Sequence, residues 1–242
     1  MLVAASVAAF LVGLSKGGLS MIGTLGVPLL ALVISPIRAA AILLPVFVFS
    51  DVVGVWLYRR DFNPVILKIL VPAGCIGIAI GWATASRVSD RGVAFMIGLI
   101  GVGFCLNAWR MRRQPPVQRP ADLPRGIFWG IVTGFSSFVC HAGGPPYQIY
   151  VLPQRLPKMI YAGTTALVFA AINALKLGPY WALGQFSMPN LTASLYLLLP
   201  AFVGTQLGMR LVRVLPERGY YVFVQLALLG VSLELILKGL GR

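Results

Sequence analysis

The sequence predicts an all-α polytopic membrane protein made of two inverted-topology repeats, each with a broken, re-entrant first helical segment followed by three transmembrane helices. Composition is the first observation behind this expectation: of 242 residues, 58% are apolar and only 11% charged. Soluble domains carry about 45–50% apolar and about 25% charged residues. An ordinary water-soluble globule is therefore excluded, and the apolar content leaves room for roughly seven or eight bilayer crossings. The second observation is the spacing of the apolar runs, and the third is the matching order of landmarks in the two halves.

Long apolar runs fall at 37–58, 64–86, 92–109, 158–178, 191–214 and 220–237, each long enough to cross about 30 Å of hydrocarbon. Two further stretches, 2–34 and 126–155, are too long for one crossing and carry glycine-rich breaks. These read GLSKGGLSMIGTLGVP at 13–28 and GFSSFVCHAGGPP at 134–146. The flanks of each break are short, so paired half-helices suit them better than two full crossings. The proline-rich, basic stretch 111–125 divides the chain into an N-terminal repeat (1–110), a cytoplasmic linker (111–125) and a C-terminal repeat (126–242).

The halves share an ordered series of landmarks. Pro36 and Arg38 match Pro157 and Lys158, and Pro64 matches Pro189. Pro72 with Gly77-xxx-Gly81 matches Pro200 with Gly204-xxx-Gly208, and Arg87-Val-Ser-Asp90 matches Arg213-Val-Leu-Pro-Glu217. Small residues four apart let helices approach closely in lipid, so these glycines are expected at helix contacts.

Charge supports opposite orientations. The chain has 20 Lys plus Arg against 6 Asp plus Glu, a net +14. Because the basic residues lie between apolar runs, they fit cytoplasmic loops rather than a nucleic-acid surface. The doubly basic Arg59-Arg60 turn corresponds by repeat to the charge-free stretch 178–195, so equivalent loops differ in bias as inverted halves should. Arg87 and Arg91 run against this scheme. The N-terminus lacks the basic region of a secretory signal and is taken as the first membrane segment. Cys75, Cys105 and Cys140 have neither metal-ligand nor redox spacing. No phosphate-cradling nucleotide motif occurs, and no cofactor is implied.

In transporters with discontinuous helices, substrate sits where the breaks meet, facing positive half-helix ends. The donor-rich, basic breaks point to an anion. Candidate substrate-binding residues are Ser15, Lys16, Gly17, Gly18 and Ser20 in the first break, and Ser137, His141, Gly143, Gly144 and Gln148 in the second. Structural alternatives stay open: Lys16 as an interface anchor, His141 as a packing group, and the serines as caps or partners of backbone carbonyls. Asp51, inside an apolar run where a charge is costly, is the candidate for proton coupling. Its repeat counterpart falls near Asn173, and the alternative is a structural pair with Arg38 or Lys16. Lys176, one turn after Asn173, is read as an interface anchor, with a place lining the pathway as the alternative.

These residues carry a family resemblance. The glycine-rich break followed by Pro28, the proline-led span, the Gly-xxx-Gly pair and the Arg-Val-Ser-Asp turn, all echoed in the second half, resemble the TauE/SafE family over nearly the whole chain. The resemblance implies a multi-pass permease of the prokaryotic inner membrane that exports sulfite, a sulfonate or a related anion on a proton or other ion gradient. It places the anion around Ser15 to Gly18 and His141 to Gly144. The chain departs from the family's pattern at Lys16, at Cys140-His141 and at Pro145-Pro146. Expected partners are a small anionic substrate and membrane lipid, with no nucleic acid; a homodimer is left open. The main rival reading is a passive anion channel. A weaker one is an intramembrane enzyme using Cys140 and His141, whose side chains project about 100° apart as neighbours on a helix.

Overall fold

The computed structural model describes residues 2–17, 19–87, 89–113, 119–211 and 217–241. The described residues form helices and turns, with no strand. In chain order the helices are α1 (Leu2–Lys16), α2 (Gly26–Ala31), α3 (Pro36–Tyr58), α4 (Pro64–Thr84), α5 (Asp90–Arg113), α6 (Leu123–Cys140), α7 (Gly144–Val151), α8 (Lys158–Ala182), α9 (Met188–Leu211) and α10 (Glu217–Gly239). A 3-10 turn over Ser20–Leu25 joins α1 to α2.

Local chemistry sets the helix starts. The Ser35 hydroxyl accepts from the Arg38 amide ahead of Pro36. The Asn63 side chain accepts from the amides of Val65 and Ile66 at 3.0 and 3.2 Å ahead of Pro64. A polar cap followed by proline satisfies a helix start without wasting a donor.

Among the described residues, seven helices are long and apolar enough to cross a membrane: α3 to α6 and α8 to α10. Large apolar side chains such as Trp56, Leu195, Tyr196 and Leu199 lie exposed on the outside of the bundle, as a lipid solvent requires. The chain is a multi-pass membrane protein. Six of these spans are those the apolar runs predict. The seventh, α6, corrects the expectation of paired half-helices in the second broken segment. Leu123 and Pro124 extend its start into the linker, and Gly134, Ser136 and Ser137 do not interrupt it. Gly134 packs directly on the α4 backbone, and Ser136 returns its hydroxyl to the Val132 carbonyl at 2.6 Å. The actual break is confined to 141–143. In the first segment α1 runs on to Lys16, so the break spans 17–25.

Glycines decide how the helices pair. A Cβ on Gly134 would fall 2.0 Å from the Gly74 carbonyl oxygen, and one on Gly77 2.1 Å from that of Ile131. Likewise Gly13 lies against Ala201, and Gly204 against Phe10. Both predicted Gly-xxx-Gly pairs are thus helix contacts, α4 on α6 and α9 on α1. Contacts advance together along each pair (Gly77 near Ile131, Gly81 near Phe138; Gly13 near Ala201, Gly17 near Thr205), so the helices of each pair run parallel. α5 and α10 run antiparallel, Gly98 meeting Ile236 and Gly239 meeting Phe95. α3 and α8 also cross antiparallel, with Gly54 beside Ala166 and Gly163 beside Asp61. These directions put Arg59, Arg60, Arg125, Arg155 and Arg210 at one end of the bundle, and Arg38, Arg87, Arg91 and Lys238 at the other.

Candidate functional site

The site is built from the ends of two interrupted segments and the middles of α3 and α8. Gly13 and Gly17 let α1 lie against the backbone of α9; a Cβ on Gly17 would stand 2.4 Å from the Thr205 carbonyl oxygen. That contact carries the last residue of α1, Lys16, into the bundle. There its ammonium forms an ion pair with Asp51 of α3 and lies 5.9 Å from the centre of the Phe47 ring. A cation at a helix C-terminus also complements the carbonyl end of the helix. The second oxygen of Asp51 accepts from the Asn173 amide at 2.6 Å.

α6 ends at His141, whose φ of 52° lies in the left-handed region. For a residue with a Cβ that conformation costs about 1–2 kcal/mol. It turns the imidazole away from the helix axis, so that Nε2 donates to the Ala40 carbonyl of α3 at 2.9 Å. Its Nδ1 meets the Lys176 ammonium at 2.7 Å. Lys176 also donates to the carbonyl and hydroxyl oxygens of Ser137, at 3.0 and 3.1 Å. Phe47 packs beside both Lys16 and His141, its ring 4.9 Å from that of His141. Gly143 lets the chain fold over α6, since a Cβ there would meet Ser137 and the Thr133 carbonyl at 2.9 Å. The two breaks touch: a Cβ on Gly144 would lie 3.7 Å from the Thr24 methyl.

α8 supplies the residues that the sequence underrated. Asn173, Lys176 and Tyr180 are spaced i, i+3, i+7, which places them on one helical face, and all three are buried. The expectation that Lys176 anchors at the interface is therefore wrong: its side chain is 0% exposed and turns to the second break. The polar stripe within an apolar helix was the signal that could have found it. Tyr180 donates to the Phe138 carbonyl at 2.6 Å and packs edge-on against that ring. The two rings wall a cavity of about 120 Å³ that also touches Ile37, Leu183 and Gln185. This cavity lies beside the charged cluster and does not enclose it.

Of the other predicted site residues, Ser15 returns its hydroxyl to the Val12 carbonyl of its own helix at 2.7 Å. Gln148 lies half-buried on α7. Gly18 and the side chain of Ser20 lie outside the described residues. Asp51 pairs with Lys16, one of the two structural partners considered for it, and not with Arg38, which donates to Asn190 instead at 3.3 Å. The helix dipoles matter less than expected. α2 spans only six residues, and Pro145 and Pro146 remove two N–H donors from the first turn of α7. Positive charge at the centre comes from lysine side chains. Cys140 donates to the Ser136 carbonyl at 3.2 Å while His141 faces Ala40 and Lys176, so the two do not form a nucleophile–base pair.

A multi-pass bundle in which two broken segments and two continuous helices bring two lysines and a carboxylate into the interior has the architecture of a membrane transporter. The chain belongs to the sulfite exporter TauE/SafE family, whose sequence profile matches residues 4–235. Searches of curated proteins and of solved structures found no match.

Proposed function

We propose that the protein is a secondary transporter that exports a small sulfur-containing anion, sulfite or a short sulfonate, by alternating access across a prokaryotic inner membrane. The cradle lies between the breaks, with Lys16, Ser137, His141, Gly143 and Gly144 around the anion and Asp51 as the proton-coupling group. The observation that carries the reading is the convergence inside the bundle of the Lys16–Asp51 pair and the Lys176–His141 pair, with Phe47 packed beside both Lys16 and His141. Buried charges in a membrane interior are costly and mark substrate and ion paths, and an excess of cations there favours an anion.

The exchange pattern of the helices supports two inverted repeats, 1–110 and 126–242, joined by a linker on the cytoplasmic side. α1 pairs with α9 as α6 pairs with α4, α3 faces α8, and α5 faces α10. Each is the pairing that a two-fold axis in the membrane plane would generate. The burial of Asp51 and Lys176 favours a carrier over an open channel, whose lining would be continuous with water.

Thermal-shift measurements on purified protein against sulfite, sulfate, thiosulfate and methanesulfonate test the reading. One or more of these should raise the unfolding temperature, and Lys16→Ala should weaken that response several-fold or more. A response that Lys16→Ala leaves unaltered removes Lys16 from the site.

A further inference from the structure

Lys16 and Asp51 are unequally reachable. The Lys16 side chain keeps 17% of its surface exposed and that of Asp51 only 5%. An incoming anion therefore meets the ammonium first, and meets it already occupied by a carboxylate. Inserting a second anion beside an intact ion pair would leave one negative charge without a partner, at a cost of several kcal/mol in a poorly solvated interior. Lys176 offers the anion no direct contact, because its side chain is fully buried and its donors are engaged by Ser137 and His141. Every negative group keeps a direct partner only if Asp51 takes up a proton as the anion takes Lys16.

Resting on the anion reading above, we propose that Asp51 is a resident stand-in for the transported anion: it holds Lys16 in the empty carrier, and the anion replaces it only as Asp51 is protonated. Anion and proton then bind together and move in the same direction. An exporter built this way releases its anion with a proton, and runs on the anion's own gradient rather than on proton entry. Asn173 fits either state of the carboxyl group. Its amide N–H donates to the carboxylate, and its amide oxygen can accept from the acid once a proton is added. A cation at this position could only donate, and a carboxylate could only accept.

The titratable groups around Asp51 are few. Lys16 faces it from α1. Lys176, one turn beyond Asn173, is within electrostatic reach from α8. His141 lies across Phe47 at the end of α6, with Cys140 beside it bonded to Ser136. α2 carries no titratable side chain. On α9 Tyr196 and Arg210 are exposed, and on α5 Cys105 lies against Gln225 of α10 while Asp90 and Arg91 are exposed.

The test is sulfite binding to purified protein in nanodiscs, measured by calorimetry from pH 5 to pH 9 for the wild type and for Asp51→Asn. Sulfite's own titration is common to both proteins and cancels in the ratio of their affinities. Uptake of one proton per anion predicts that, as pH rises, the wild-type affinity falls relative to that of Asp51→Asn by up to about tenfold per pH unit. The variant should also bind at high pH at least as tightly as the wild type does at low pH. A ratio that stays constant with pH overturns the proposal, since Lys176 or solvent would then be compensating the charge. So does an Asp51→Asn protein that retains its unfolding temperature yet binds no sulfite at any pH. If Asp51→Asn is not monodisperse, Asp51→Ser is measured in its place against the same prediction. Absence of sulfite binding to the wild type at every pH would instead overturn the anion reading beneath it.

Discussion

Buried hydroxyls in α6 have unequal fates, and the difference is measurable. Ser136 bonds back to Val132, and Ser137 accepts from Lys176. Thr133, one turn earlier and fully buried, leaves its hydroxyl without a hydrogen-bond partner. An unsatisfied buried polar atom costs about 1–3 kcal/mol, and valine has the same shape without the hydroxyl. Thr133→Val should therefore raise stability by about 1 kcal/mol, read as a higher unfolding temperature in detergent. An unchanged or lower temperature would mean that Thr133 has a partner the packing does not reveal. The same contrast limits what residues disclose in isolation. Asp51 and Asn173 were legible as polar groups inside apolar runs. That they bond to each other, and that Lys176 turns to Ser137 and His141, depends on contacts between residues 35 to 122 positions apart. A lysine near the end of an apolar run has the same local signature whether it snorkels outward or is buried.

Among the helices, glycine separates two cases that look alike in sequence. Gly13 and Gly134 sit where a Cβ would be 1.9 and 2.0 Å from a backbone oxygen of the neighbouring helix, whereas nothing stands within 4 Å of a Cβ on Gly103 or Gly230. A clash with backbone cannot be relieved by a rotamer change, so Gly13→Ala and Gly134→Ala should separate α1 from α9 and α6 from α4. The expected cost is at least about 1–3 kcal/mol, seen as lost folded yield. Gly103→Ala and Gly230→Ala should gain up to about 1 kcal/mol from helix propensity. Equal behaviour of all four would contradict the close parallel pairing. The spans themselves were readable because length and hydropathy suffice to define a crossing. The extent of α6 was not, because whether Gly134, Ser136 and Ser137 break a helix is decided by the neighbour that α4 provides. Pro179 shows the same limit in α8, which continues past it to Ala182.

Across the whole molecule, helix direction and charge make a joint statement that labelling can check. α6 runs parallel to α4 and α1 parallel to α9, so the two broken segments enter the bundle from opposite ends. The end that receives α6 carries Arg59, Arg60, Arg125, Arg155 and Arg210, whereas the α8–α9 connection at the other end has no charged side chain. Cytoplasmic loops collect Lys and Arg, which orients the Arg59-Arg60 turn inward and the α8–α9 turn outward. Arg38, Arg87, Arg91 and Lys238 at the outer end oppose this bias, and Asp90, which accepts from Ser35 at 2.6 Å, offsets it only in part. The prediction therefore follows from the difference between the ends and not from a clean separation. In a protein whose Cys75, Cys105 and Cys140 are replaced by alanine, single cysteines at the exposed positions Arg60 and Ser187 report the two ends. A membrane-impermeant maleimide applied to intact cells should label Ser187→Cys, and should label Arg60→Cys only after permeabilisation. The reverse pattern would invert the orientation while leaving the bundle intact. Labelling of both from outside would put the two turns on one side, which the antiparallel crossing of α3 and α8 does not allow.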